Sequence, residues 1–430
     1  MSDARPGTAS GADPGEAPER PAGDPLSRVL RQLDLELPEH GTGQRTARRS
    51  TPLVAPPERP RPAPSRRWMT GFAAALLVAL VAGAALTWIG VETVRDSTTG
   101  RTVASSDPSE PGFEGFLEPT PTLLVAHQSG EELRSLALLS LSSHDIGGSV
   151  LMIPPDTVVQ TADFTGSLAL GYAYGGPDGI FQHVQDMLGV GIGELVVVDD
   201  ARWAALTAGV APISITNPDS VEGFETGTID LAAGEVATWL GARSPDESDL
   251  ARMYRVGLFW EAWLGEVRAA EDPSVVPGEI DSGIGRFVRG IAGGEADVAS
   301  LPVTEEQMAD GGVVFAVDPA PTAELVARFV PYPRGPSVGV RTRVRLLDGT
   351  GQPDHALQAA PLIVPAGAEI VIVGNADELV QPRETEVRYH DPAQRESAER
   401  LRDALAAGRV VEDARQTDSF DVTIVLGTDV

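Results

Sequence analysis

Apolar and polar positions follow a different rhythm in each part of this chain. From Trp68 to Val91 there is no alternation at all: the run is apolar and uncharged. At about 1.5 Å per residue such a helix is about 36 Å long, enough to cross a hydrocarbon core of about 30 Å. Trp68 and Trp88 sit near its ends, where indole rings favour a membrane interface. A buried core helix would carry a polar stripe, and a signal peptide would lie nearer the start with a shorter apolar core. Residues 68–91 are therefore predicted to form one transmembrane helix. Ahead of it, residues 1–67 are rich in Pro, Gly, Ala, Arg and Glu and poor in large apolar groups, the composition of a disordered tail. Residues 92–121, with Ser, Thr, Asp, Gly and Pro, read as a stalk.

From Thr122 onward short apolar runs alternate with amphipathic stretches. Thr122–Ala126, Leu136–Leu141, Ser149–Ile153 and Leu195–Val198 read as strands. Gly179–Leu188, Ala233–Leu240 and Ser248–Val267 read as helices, so residues 122–330 are expected to form a sheet covered by helices. The Pro-rich stretch of residues 331–340 reads as a linker. Residues 341–430 then show strands at Thr342–Leu347, Glu369–Val373, Thr385–Tyr389 and Val422–Leu426 and a helix at Pro392–Ala407. Pro361 should keep the first helix of this part short. The fold class is α/β, in two unequal domains.

Charge settles the orientation. Residues 1–91 hold 11 arginines and 9 acids, about +2, and the remainder holds 22 arginines and 53 acids, about −31. Arg45, Arg48, Arg49, Arg59, Arg61, Arg66 and Arg67 precede the apolar run, which places the N-terminus in the cytoplasm and residues 92–430 outside the plasma membrane. An exported part this acidic is unsuited to nucleic acid. It holds no cysteine, hence neither disulfides nor thiolate metal sites. His127, His144, His183, His355 and His390 are scattered without partners at metal-ligand spacing, so no metal site and no cofactor are expected. Tyr172 and Tyr174 alternate and, on a strand, would share one face. Asp199-Asp200 closes a Val-rich strand as a solvated end.

Three ordered stretches resemble the LytR-CpsA-Psr family of cell-envelope proteins. They are Val150-Leu151-Met152-Ile153-Pro154-Pro155-Asp156-Thr157, then Gly171-Tyr172-Ala173-Tyr174-Gly175-Gly176-Pro177, then Arg243 with Asp249-Leu250-Ala251-Arg252-Met253-Tyr254-Arg255. The tail resembles the LytR C-terminal domain, which often follows the first in actinobacterial envelope proteins. Its matching residues are Leu346-Leu347-Asp348-Gly349-Thr350-Gly351, Val373-Gly374-Asn375-Ala376 and Val425-Leu426-Gly427-Thr428-Asp429. The resemblance implies a mixed sheet covered by helices, followed by a small α/β domain. It also implies a phosphotransferase that moves a glycopolymer from a polyprenyl-pyrophosphate carrier to peptidoglycan. Such chemistry needs arginines on the pyrophosphate and carboxylates holding a divalent metal.

Measured against the family pattern, this chain is degenerate. Pro155 stands where a phosphate-gripping arginine is expected, Ser167-Leu168-Ala169 replaces a Lys-x-Asn, and Gln128 and Leu136 occupy the two aspartate positions. Gly241 takes the place of the first arginine of the later motif, and Tyr254 and Val256 replace an Arg and a Gln. The residues left for an anion or phosphate site are Asp156, Arg243, Asp249, Arg252 and Arg255. The same Asp249, Arg252 and Arg255, spaced by three, equally suit salt bridges within one helix. The expectation is a membrane-anchored, non-catalytic envelope protein that binds a polyprenyl-phosphate-linked glycan or an envelope protein. Two alternatives stand beside it: an active transferase, which alone would call for Mg²⁺, and a protein-interaction scaffold with a filled pocket.

Overall fold

The computed structural model describes residues 107–430 except 143–144, 162–163, 245–246, 309–311, 353, 378–382 and 414–419. The predicted tail, the predicted transmembrane helix and His144 lie outside the described residues. Among the described residues no helix is long and apolar enough to cross a membrane.

The chain enters through a short strand, β1 (Glu114–Phe116). The larger domain then contributes β2 (Thr122–Ser129), β3 (Glu132–Leu141), β4 (Gly148–Ile153), β5 (Val158–Gln160) and β6 (Thr165–Ser167). Helix α1 (Leu168–Leu188), β7 (Glu194–Val198), α2 (Asp200–Thr207), β8 (Ile213–Asn217) and β9 (Gly227–Leu231) follow. Helices α3 (Val236–Gly241), α4 (Asp249–Ala269) and α5 (Gly283–Ala292) come next, then β10 (Ala296–Ser300), β11 (Val303–Gln307), β12 (Val313–Val317) and α6 (Pro319–Phe329).

Five strands form the central sheet in the order β10-β4-β3-β2-β7, antiparallel in the middle and parallel at both edges. Alternate residues enter opposite cores. Leu123, Val125, Leu139, Val150 and Met152 meet the apolar sides of α2 to α5, while Leu124, Leu136, Leu138, Leu151 and Ile153 meet α1 and α6. A strand covered on both faces reads as an unbroken apolar run, which is why these strands were legible as short hydrophobic blocks. The α4 side is filled by aromatic rings: Trp203, Phe259, Trp260 and Trp263 lie with centroids 5.4–6.2 Å apart, all of them buried.

Helix α1 bends sharply at Gly176, which has φ 61° and ψ −156° and is followed by Pro177. The predicted Gly179–Leu188 helix is its second half. Tyr172 and Tyr174 lie on the first half, so the strand reading of this pair is corrected. Two helical positions point about 200° apart; Tyr172 is buried and Tyr174 is 82% exposed.

The smaller domain runs β13 (Thr342–Asp348), α7 (His355–Ile363), β14 (Ala368–Asn375), β15 (Glu386–Tyr389), α8 (Arg395–Leu405), β16 (Arg409–Glu412) and β17 (Val422–Leu426). Its sheet has the order β1-β14-β13-β17-β15-β16, with α7 and α8 packed on a core of Val344, Leu346, Ile363, Ile370, Leu401 and Ile424. Helix α7 extends two residues past Pro361, nine residues in all.

Two stretches read as connectors are built into the fold. Part of the predicted stalk, β1, belongs to the sheet of the smaller domain. The predicted 331–340 linker is stitched to both sides: Arg334 O accepts from Gly191 N at 2.7 Å, and Gly335 N donates to Glu369 Oε2 at 2.8 Å. Just beyond it, Arg341 donates through Nε to Gly189 O at 2.7 Å. Its Nη1 reaches Val364 O at 3.1 Å and Ala368 O at 3.0 Å. Main-chain and side-chain bonds, invisible to composition, join the described part of the stalk and the 331–340 stretch to the fold.

Candidate anion site

Strands β2 and β4 end, and β3 and α4 begin, at one pole of the central sheet. Pro154 and Pro155 terminate β4, since neither can donate to a ladder. The chain is pinned there by Ala169 N donating to Pro155 O at 2.7 Å and Phe315 N donating to Asp156 O at 3.1 Å. Across the pole, Ser248 caps α4 by accepting from Ala251 N at 3.2 Å. Asp249 is therefore the first residue of that helix, where a carboxylate meets the positive end of the dipole.

Four of the five predicted site residues come together. Arg243 Nη2 lies 2.6 Å and Arg252 Nη2 3.0 Å from the same Oδ1 of Asp249. Asp156 shares a hydrogen bond with the Asp249 carboxyl. The side chains of Asp249 and Arg252 are each 5% exposed, whereas that of Arg243 is 50% exposed. Burial, with the Asp249 hydrogen bond and charge, pushes Asp156 up to about 7, against the pull of Arg243 and Arg252. Burial works on Asp249 in the same sense, yet the hydrogen bond from Asp156 and the two guanidinium charges hold it below the usual carboxylate range. Below about pH 7 the pair therefore holds one proton, on Asp156. Burial lowers the pKa of Arg252, and its buried Nε has no hydrogen-bond partner.

Arg255, the fifth predicted residue, belongs elsewhere. Its guanidinium pairs with Glu247, donates to the Ala242 carbonyl and lies 5.7 Å over the Trp239 ring. It is 1% exposed and fastens the loop ahead of α4. The two readings of the Asp249, Arg252 and Arg255 triplet therefore divide: Arg252 faces the carboxyl pair and Arg255 makes a buried structural ion pair. Glu247 was not singled out in the sequence, because nothing in Asp246-Glu247-Ser248 announces a partner eight residues on.

The positions where the family pattern would place metal ligands have other occupations. The Gln128 side-chain carbonyl accepts from the Tyr172 hydroxyl. Leu136 is 1% exposed in the core facing α1, and Pro155 is buried. Asp199 caps α2, accepting from Arg202 N at 2.8 Å. Asp200 accepts from Ser129 Oγ at 3.1 Å and lies 3.5 Å from His127 Nε2. Burial drives His127 down to about 4, which keeps its ring neutral. Among the described residues no group of three or more His, Cys, Asp or Glu could hold a metal ion. The Asp156–Asp249 pair does not fit Mg²⁺ either: two guanidinium groups already crowd one oxygen of Asp249. Arg134, on β3, was not among the predicted site residues, although its charge acts on both Arg252 and His127. A cavity of about 140 Å³ opens along the same helix, lined by Met152, Tyr254, Gly257, Leu258, Val298 and Ser300 among others.

Residues 341–429 match the family described as LytR cell envelope-related transcriptional attenuator, and the smaller domain belongs to it as a LytR C-terminal domain. No curated protein matches the chain in sequence. Among solved structures, the chain is similar to Bacillus subtilis TagV, at 18% identity and a TM-score of 0.43 over 51% of this chain and all of TagV. It is similar to a LytR-Csp2A-Psr enzyme from Actinomyces oris, at 17% identity and a TM-score of 0.39 over 49% of this chain and 89% of that one. It is similar also to TagT bound to LI-WTA, at 16% identity and a TM-score of 0.42 over 53% of this chain and 93% of that one.

Proposed function

We propose that this chain is a membrane-anchored envelope protein of the LytR-CpsA-Psr kind that binds the phosphate end of a polyprenyl-linked glycan without turning it over. The anchor is the apolar run 68–91, and the folded domains lie outside the plasma membrane. The observation that carries the proposal is the convergence of Arg243 and Arg252 on a carboxyl pair that keeps one proton. With Asp156 neutral, two guanidinium groups face one carboxylate, and the cluster carries a net positive charge in an otherwise acidic exported part. Arg243, half exposed, supplies the first contact, and the buried Nε of Arg252 is a donor without an acceptor. A cavity of mixed polar and apolar lining follows this cluster along α4, from Tyr254 to Glu261.

Absence of turnover follows from what stands at Gln128, Leu136 and Pro155. An isobutyl group and a proline ring offer no ligand to a divalent ion or a pyrophosphate. The Gln128 carbonyl is uncharged and already accepts from Tyr172, and each lost charge-assisted contact costs about 1.5–3 kcal/mol. One observation favours a second reading, the interaction scaffold. Trp203, Phe259, Trp260 and Trp263 fill the space under α4, where a lipid chain would need room. Native mass spectrometry of the full-length chain after extraction from membranes separates the two. A retained polyprenyl phosphate supports binding, and failure to take up added polyprenyl phosphate supports the scaffold.

A further inference from the structure

The sheet of the smaller domain is completed by a segment from far upstream. β1 lies antiparallel to β14, with Glu114 opposite Gly374, Gly115 opposite Val373 and Phe116 opposite Ile372. The pairing continues past the strand at both ends. Asn375 N donates to Phe113 O at 2.8 Å, Leu117 N to Val371 O at 3.0 Å, and Gly112 N to Ala376 O at 3.1 Å. The Asn375 side chain adds two bonds, from Nδ2 to the carbonyls of Pro108 and Glu110, each 2.8 Å. Arg345, on the neighbouring strand β13, pairs with Glu114. Gly374 has no alternative: a Cβ there would run into the carbonyl of Phe113. Apolar burial contributes little at Phe116, which is 80% exposed. Main-chain bonds, three specific residues and the packing of Leu117 on the core of the smaller domain hold the segment. This is the pattern of strand addition at a sheet edge, where a pocket for one side chain adds to the backbone bonds.

We propose that Gly374, Asn375 and Arg345 form a strand-addition site on the LytR C-terminal domain, and that residues 107–117 of this same chain are its resident ligand. The class of ligand is an extended peptide laid antiparallel to β14. Gly374 admits its backbone at close range, Asn375 clamps the turn before it, and Arg345 selects an acid at the position of Glu114. The Val373-Gly374-Asn375-Ala376 motif thereby receives the strand that ties the smaller domain to the segment just ahead of β2. The proposal stands apart from the reading of the anion site and does not depend on it.

The test uses the full-length chain in detergent. A Glu114→Pro, Gly115→Pro double variant disables the resident strand and opens the edge. A fluorescent synthetic peptide spanning residues 105–119 is then expected to bind this variant at least tenfold tighter than the wild-type chain, whose edge is occupied. Adding Gly374→Val should abolish that binding. Hydrogen exchange on the wild-type chain gives a second readout that needs no strand-breaking variant. The Gly112 and Leu117 amides should be protected, and Asn375→Ala should speed their exchange at least tenfold while β2 to β4 stay unchanged. Equal peptide binding to wild-type and opened chains, or free-peptide exchange rates at Gly112 and Leu117 in the wild type, would overturn the proposal.

Discussion

Asp156 shows how far a single residue's role depends on what folding brings beside it. In the sequence it is an acid after two prolines; in the fold it meets Asp249, 93 positions later, and keeps its proton up to a pH of about 7. The sign of the resulting pH dependence is fixed. Between about pH 4 and 7 the folded chain holds on Asp156 a proton that the unfolded chain releases, so this group's contribution to stability falls as pH rises through that window and is flat above it. Asp156→Asn keeps the hydrogen bond to Asp249 and removes the charge. It is expected to leave stability near the wild-type value at pH 5 and to raise it by about 1 kcal/mol at pH 8, after allowance for screening of a half-buried group. Urea titrations at the two pH values check this, and equal destabilisation at both would contradict the shared proton. Arg255 is the converse case. The family resemblance placed it in one site with Arg252, yet in the fold it pairs with Glu247 and lies over the Trp239 ring, and only the course of the chain before α4 decides that.

At the scale of elements, legibility followed burial on two faces. β2, β3, β4, β7, α4 and every predicted strand of the smaller domain were readable as apolar blocks or an amphipathic helix, and they form the cores. The elements that escaped were half-exposed or very short: β1, the β5–β6, β8–β9 and β11–β12 hairpins, β10, β16, α2 and α6. The hairpin strands are held by main-chain bonds to their immediate neighbours and β1 by bonds to distant β14, neither of which periodicity encodes. Helix α5, strongly amphipathic and yet unpredicted, was obscured by its glycines at 283, 285 and 290, residues that weaken a helical reading. The Trp-rich side of α4 makes a quantitative claim about packing. Trp263→Ala should cost about 3–5 kcal/mol in urea unfolding, whereas Tyr254→Ala, on the same helix but 60% exposed, should stay within about 0.5 kcal/mol. Similar costs for the two would mean that the aromatic cluster is not close-packed.

On the scale of the molecule, Arg341 fastens the two folded domains to each other. One half-buried guanidinium joins the C-terminal cap of α1 to the end of α7 and the start of β14, and its desolvation lowers its pKa. Arg341→Ala leaves three carbonyls short of a donor, a loss of about 1–3 kcal/mol. Calorimetry should show one unfolding transition for the two folded domains of the wild type and two for the variant, and a single transition in both would remove Arg341 from this role. A firm junction matters because the cluster of Asp156, Arg243, Asp249 and Arg252 lies where β2 ends, whereas the smaller domain is bonded to Thr120 and Gly189, near where β2 begins. The central claim is that this cluster binds a lipid-linked phosphate and does not consume it. The most direct measurement is equilibrium binding of polyprenyl pyrophosphate to the full-length chain in detergent with Mg²⁺, with release of phosphate-containing products followed in the same samples. The account predicts one ligand per chain, at least tenfold weaker binding for Arg252→Ala, weaker binding at pH 8 than at pH 6, and no product. Absence of binding, or product formation that depends on Arg252, would contradict it.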